Sequence, residues 1–347
     1  MKRILLAFLV VTLIFSGYES NAQRRGQRGS ISKFQGFRSH FDKSKQYQTI
    51  GISISAVNYF GDITPSSSAL STELSFTRPA IGIEYTRRLG PRYEIRGAFT
   101  FATIRGDDFK SADPGDLDAS ARYVRNLSFR NQIKELSVVA IIELFENNGT
   151  YITRSTLNPY LLAGIGVFLH NPQAKAPGGG DWVDLEPLGT EGQYSNLYNV
   201  DTYSKIGISI PLGIGIRYKL NQNFDIEFEI GYRHTFTDYL DDVSGDYVSP
   251  TAFDDPMARA MADRSRETTS ADGDARPQNL PQFTRTQTTV DGFTVINGYG
   301  SDPAIDFLQP DFPKEIRGNP DNDDVFIFTG FHLKYILGTN YRRAKFR

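Results

Sequence analysis

Ile206-Gly207-Ile208-Ser209-Ile210-Pro211-Leu212-Gly213-Ile214-Gly215-Ile216-Arg217-Tyr218 puts a large apolar or aromatic side chain at every even position, with glycine, serine, proline or arginine between. A side-chain period of two held over that length makes one strand with a greasy face and a small or polar face. Ordinary strands run about 5–6 residues, whereas a tilted strand crossing a bilayer needs about 9–11. The run is therefore of membrane-crossing length.

Seven more runs share the pattern. Ile50, Ile52, Ile54 and Ala56 form the first; Ile81, Ile83, Tyr85 and Leu89 the second; Tyr93, Ile95, Phe99 and Phe101 the third. Leu136, Val138, Ala140, Ile142 and Leu144 make the fourth, and Leu161, Ala163, Ile165 and Val167 the fifth. After the opening run come Phe224, Ile226, Phe228, Ile230 and Tyr232, then Ile327, Phe331, Leu333 and Tyr335. The connections alternate long and short: about 58–78, 90–92, 106–131, 147–156, 170–203, 221–223 and 237–324. A soluble sandwich does not segregate its loops so regularly. The expected fold is all-β, an eight-stranded antiparallel transmembrane up-and-down β-barrel with long extracellular loops, short periplasmic turns and both termini periplasmic.

Parity sharpens the sixth and seventh runs. If even positions face lipid on both, a three-residue turn Asn221-Gln222-Asn223 sets Lys219 opposite Asp225 and Arg217 opposite Glu227. Two lumenal ion pairs are expected there, with Asn223 as the left-handed turn residue. Eight strands leave an interior that side chains can fill. Glu84, Arg88, Glu94, Arg96, Glu135, Glu143, Arg217, Lys219, Asp225, Glu227, Glu229, Arg233 and Lys334 are the expected filling. Self-paired charge is favoured over a proton or ion path, because buried charges must be paired.

Composition agrees. The net charge of −2 and pI of about 6.1 argue against a general nucleic-acid binder, and no small-molecule substrate is expected. Aromatics reach 13%, with 18 Tyr, 25 Phe and one Trp beside 31 Gly, which suits girdled strands and a glycine-lined interior. Lys2, Arg3 and the apolar run Ile4–Phe15, followed by Ser20-Asn21-Ala22, read as a signal peptide over 1–22. There is no cysteine, so disulfides and thiolate metal sites are excluded.

Chemistry-bearing patterns are sparse. His234 with Asp238, Asp241 and Asp242 has the loose shape of a hydrolytic site, but it lacks a partnered serine and points to lipid by parity. His40, His170 and His332 have no metal-ligand spacing. Asp321, Asp323 and Asp324 could gather calcium, yet the loop pattern and its closing Glu are missing. Asn126-Leu127-Ser128 and Asn148-Gly149-Thr150 match the glycosylation tripeptide, a weak signal. The chain is read as a non-enzyme without cofactor or metal.

Charge is divided between the ends. Residues 23–46 form a basic arm that includes Arg24, Arg25 and Arg28, and 338–347 a basic tail that includes Arg342, Arg343 and Lys345. Barrel residues 47–337 lie between them. Its outer loop 237–323 carries seventeen acidic and seven basic residues and is expected to be partly disordered. Basic arms on one side suit an acidic partner or anionic headgroups.

Several loop-proximal stretches form an ordered series: Asn58-Tyr59-Phe60-Gly61-Asp62-Ile63, Arg78-Pro79-Ala80, Arg125-Asn126-Leu127-Ser128-Phe129-Arg130, and the segments 158–168, 182–193 and 231–244. Together they resemble the PorG-like outer-membrane barrels of the Bacteroidota, associated with type IX secretion and gliding. The resemblance covers about 48–245 and the last strand; the arm at 23–45 and the insertion at 245–323 have no counterpart in it. It implies an outer-membrane, non-enzymatic component that contacts a periplasmic ring of proteins resembling PorK and PorN. The residues themselves also suit interface aromatics and tight turns, with Arg125, Arg130, Asp238, Asp241 and Asp242 available to clamp neighbouring loops. The alternative function is a surface receptor or adhesin using the long acidic loop.

Overall fold

The computed structural model describes residues 41, 45–63, 76–112, 122–276, 286–290, 293–297 and 317–337. The signal segment, most of the basic arm and the basic tail lie outside the described residues. In chain order the strands are β1 (Gln48–Phe60), β2 (Arg78–Arg88), β3 (Tyr93–Asp107), β4 (Ser128–Glu143), β5 (Leu157–Leu169), β6 (Pro172–Lys175), β7 (Trp182–Asp184), β8 (Ile206–Lys219), β9 (Phe224–Thr235), β10 (Thr286–Val290), β11 (Phe293–Asn297) and β12 (Val325–Leu337). The short helices α1 (Asp108–Ser111) and α2 (Pro256–Ala262) belong to loops.

Eight strands run antiparallel in the order β3-β2-β1-β12-β9-β8-β5-β4, and β3 pairs back onto β4 to close the barrel. The short β6 and β7 extend β4 as a flap, and β10 pairs with β11 alone. Connections 89–92, 144–156 and 220–223 gather at one end; 170–205 and the described parts of 61–77, 108–127 and 236–324 gather at the other. Of these, the segment 144–156 starts earlier than the sequence pattern suggests, and its Arg154 folds back into the barrel.

Side-chain parity sorts the chain as the alternation requires. Along β4 the pattern from Asn131 to Glu143 is strictly buried, exposed, buried, with Leu136, Val138 and Ile142 outward. Ile54, Ile83 and Leu136 are 64%, 63% and 63% exposed. Burying one such side chain is worth about 1.5–3 kcal/mol. A continuous belt of them in water would cost more than the roughly 5–15 kcal/mol that holds a domain together. The solvent that fits this belt is a bilayer. Tyr85, Tyr93, Tyr218, Phe224 and Tyr335 stand outward near the short-turn end, where interface aromatics belong.

Glycines on the inner face of β8 make room for rings from β5. Gly215 sits opposite Tyr160 and Gly207 opposite Phe168, and a Cβ at either position would lie 2.3 Å from the facing ring. The outer ends of both rings occupy the space that a side chain at these glycines would need.

The β8–β9 register sets Lys219 against Asp225 and Arg217 against Glu227, and Arg217, Asp225 and Glu227 are buried inside. Two details of the hairpin differ from expectation. Lys219 does not pair with Asp225: the fork of Arg154 takes that carboxylate at 2.6 and 3.0 Å and also reaches the carbonyls of Asn221 and Gln222, while Lys219 donates to the Ile152 carbonyl. A guanidinium can satisfy a carboxylate and several carbonyls together, which an ammonium at the rim cannot. Asn223 is not left-handed either; among the described non-glycine residues only Asn126 and Asp242 have positive φ. The Asn221 side chain accepts from the N–H groups of Asn223 (2.8 Å) and Phe224 (2.9 Å), which closes the turn without strain.

Candidate functional site

The lumen divides into two layers. Towards the short turns it is ionic. Arg88 donates to Glu94 (3.1 Å) and Glu143 (3.0 Å), and Arg217 to Glu94 (2.6 Å), Glu143 (2.5 Å) and Glu227 (2.5 Å). Further along, Arg96 meets Glu229 (2.6 Å), Glu227 (2.9 Å) and Glu84 (3.4 Å), and Lys334 meets Glu227 (2.9 Å) and Glu84 (3.4 Å). The Tyr160 hydroxyl donates towards Glu227 and Glu229, and His332 Nδ1 lies 3.0 Å from Glu84. Each of these glutamates thus touches at least one arginine, and Arg217 alone ties β3, β4 and β9 to β8.

One notch higher, Arg233 holds Glu135 at 3.1 Å and lies over the Phe328 ring at 5.0 Å. Beyond it the filling becomes apolar: Val57, Ala102, Ile133, Phe168 and Phe326, each 0% exposed, meet across the barrel with Tyr59, Ile104 and Phe129. Leu240 and Val243 from the long β9–β12 connection close this layer from above. The charged filling expected for the whole lumen thus occupies only the half near the short turns. The outer half is apolar because β1, β3 and β12 switch there from Gly, Arg and Lys to Val, Ile and Phe on the inward parity.

Glu84, Glu227 and His332 bring ligand atoms within 4.8 Å of one another. Lys334 and Arg96 already supply positive charge at these carboxylates, so the donor set does not suit a divalent cation.

Above the apolar layer the long connections form an interlocked cap. Arg125 pairs with Asp108 at 2.7 Å and donates to the carbonyls of Asp62 (2.7 Å) and Arg317 (2.6 Å). Arg317 pairs with Glu191 at 2.7 Å and reaches the Asp242 carbonyl. Asp242 accepts from Thr190 and Tyr203, whose ring stacks on Tyr239 at 4.6 Å. Asp241 accepts from the backbone N–H groups of Ile63 and Val243, and Asp324 from the Tyr59 hydroxyl and Leu240 N–H. Residues 236–276 of the long connection are part of this folded cap rather than a loose loop; 277–285 and 298–316 lie outside the described residues.

Carboxylates crowd this cap. Burial, with Asp62 nearby, pushes Asp241 up to about 8. Burial raises Asp242 to about 6 against the pull of Arg317, and Asp238 to about 9. The expected clamp by Arg125, Arg130, Asp238, Asp241 and Asp242 is thereby corrected. Arg125 and Asp242 clamp, but through Asp108 and Arg317; Asp241 binds backbone, and Arg130 lies on Trp182.

The remaining candidates disperse. His234 packs edge-on against Phe236 at 5.1 Å, away from the inward Asp241 and Asp242. Asp324 turns inward while Asp321 and Asp323 stay exposed, so the three gather no common site. Asn126 is buried and left-handed, with its amide near the Arg264 and Thr269 carbonyls, which rules it out as an exposed acceptor. Arg24, Arg25, Arg28, Arg342, Arg343 and Lys345 lie outside the described residues. Arg154 and Arg317 lie outside the residues named from sequence, and Tyr160 and Glu191 fall only within the series 158–168 and 182–193; the glycine facing Tyr160, Gly215, lies on another strand.

The geometry defines a closed, filled, eight-stranded barrel with a capped long-loop end. A family model described as a domain of unknown function, DUF6089, matches residues 32–178. No curated protein matches the chain. Among solved structures, the outer membrane protein OprG from Pseudomonas aeruginosa is similar at 10% identity, covering 86% of this chain and 98% of that one, with a TM-score of 0.35. Neisserial surface protein A matches at 10% identity over 84% and 97%, TM-score 0.32. The attachment invasion locus protein Ail of Yersinia pestis matches at 8% over 84% and 97%, TM-score 0.30. The fold itself rests on the strand register.

Proposed function

We propose that this protein is a non-conducting outer-membrane barrel, with both termini in the periplasm, that anchors or contacts a periplasmic ring complex of the type IX secretion and gliding machinery. The observation that carries the reading is the sealed lumen: an ion-paired layer under an apolar layer leaves function to the two ends. The resemblance to PorG-like barrels directs attention to the periplasmic end, where Arg24, Arg25, Arg28, Arg342, Arg343 and Lys345 supply positive charge for an acidic partner surface. Photo-crosslinkers placed in 23–45 and 338–347 should capture a periplasmic protein in cells, and replacing Arg342, Arg343 and Lys345 with Ser should lower the yield. Capturing nothing from either arm would remove the anchoring reading.

A surface receptor is the second reading, favoured by the cap, whose buried Arg125 and Arg317 hold the long connections in one shape. Replacing 245–276 with a short linker separates the two: lost ligand binding with intact secretion favours the receptor, and the reverse favours the anchor.

A further inference from the structure

On the outer wall of β3 and β4 the side chains change character in order. Phe99 faces Leu136, then Phe101 faces Lys134, Thr103 faces Gln132 and Arg105 faces Arg130. Directly opposed like charges are unfavourable on a sheet face. Beside them stand Lys110 from α1 and Lys175 from β6. Asp272 is set among them: Arg105 (3.0 Å), Lys175 (2.9 Å) and Lys110 all converge on it. Asp107 also lies 3.5 Å from Arg105, and Asp184 accepts from Asn171 and Gln173, so cations still outnumber carboxylates on this wall. Arg130 lies flat on Trp182, 3.8 Å from the ring centroid, and gives only its Nε to Gln173. No carboxylate among the described residues pairs with Arg130 or with the exposed Lys134.

From Lys134 to Arg130 is about 14 Å along the strand, or roughly 10 Å in height at the usual tilt. The polar layer of a bilayer is about 5–7 Å thick on each side. The cations therefore begin where the apolar belt ends and cross the headgroup level, with the chain's single tryptophan among them. Asp272 shows that the cluster accepts an anionic group; the surplus of charge leaves room for a second.

We propose that Arg105, Lys110, Arg130, Lys134 and Lys175 bind the phosphate of an anionic lipid in the leaflet facing the long loops, with Asp272 as the internal competitor for it. The inference rests on the reading of the barrel as membrane-spanning. It adds a headgroup site on the wall, independent of the periplasmic partner.

Because Trp182 is the sole tryptophan, its emission reads this patch selectively. The full barrel is assembled in phosphatidylcholine nanodiscs, and the midpoint of the Trp182 response is followed as phosphatidic acid is added. Co-elution with the discs tests the membrane reading separately, so failure there is distinguishable from failure to bind the headgroup. Arg105→Ser with Lys134→Ser should weaken the midpoint about tenfold, the size of a lost charge-assisted contact. Asp272→Asn should tighten it several-fold, a gain that misfolding would not produce. A midpoint unchanged in both variants, or no response to phosphatidic acid in assembled discs, would overturn the site. An equal response of the detergent-solubilised protein to inorganic phosphate would overturn its assignment to a lipid.

Discussion

Replacing Arg217 with methionine keeps an unbranched apolar stem, shortens the side chain and removes one positive charge from the ionic layer. The guanidinium touches Glu94, Glu143 and Glu227, all at 2.6 Å or less. After the change Glu94 and Glu143 share Arg88 alone, whereas Glu227 retains Arg96 and Lys334. One carboxylate charge is left without compensation in a dry interior. Stripping one partner from a buried ion pair costs about 3–5 kcal/mol, a large part of the roughly 5–15 kcal/mol available. The assay is urea unfolding of the detergent-folded barrel, read by the gel shift between folded and unfolded forms. Arg217→Met should lower the midpoint by an amount equivalent to that cost. Adding Glu94→Gln should recover part of it, because the neutral amide no longer needs a cation. A single variant as stable as the parent, or a double variant worse than the single one, would refute the pairing scheme.

Gly215→Ala should destabilise by about 1–3 kcal/mol, the cost of overpacking a filled interior, because its Cβ would fall 2.3 Å from the Tyr160 ring; the same unfolding assay checks it. In the β8–β9 turn, Asn221→Ala should cost about 1 kcal/mol for its lost hydrogen bonds, while Asn223→Gly should bring no gain, since Asn223 is not left-handed. The cap should loosen with rising pH. Asp242, Asp241 and Asp238 are raised to about 6, 8 and 9, so their stabilising contribution is full below the ordinary carboxylate range and is lost as pH climbs through those values. Limited proteolysis of 236–276 should accelerate between pH 6 and about 9, and Asp241→Asn should flatten the profile; cleavage slowing over that range would contradict the sign.

The barrel was legible in sequence because its constraint is local. A period of two and a lipid-facing side fix each strand, and parity then fixes the register at Arg217 and Glu227. Arg154 was not legible, since a connection gives no parity from which to infer that a side chain turns back into the barrel. The division of the lumen was present in the residues, Gly and Lys at one end of β12 and Phe326 and Phe328 at the other, but reading it requires knowing which levels of eight strands coincide. The cap was the least legible part. Arg317 reaches Glu191 across 126 positions, and no local periodicity encodes such a contact.

The sealed lumen is tested most directly by planar-bilayer recording of the purified barrel inserted from detergent. The ion-paired layer beneath Phe168, Ile133 and Phe326 predicts a flat baseline at protein levels that give confirmed insertion. Reproducible single-channel steps from the inserted barrel would contradict it.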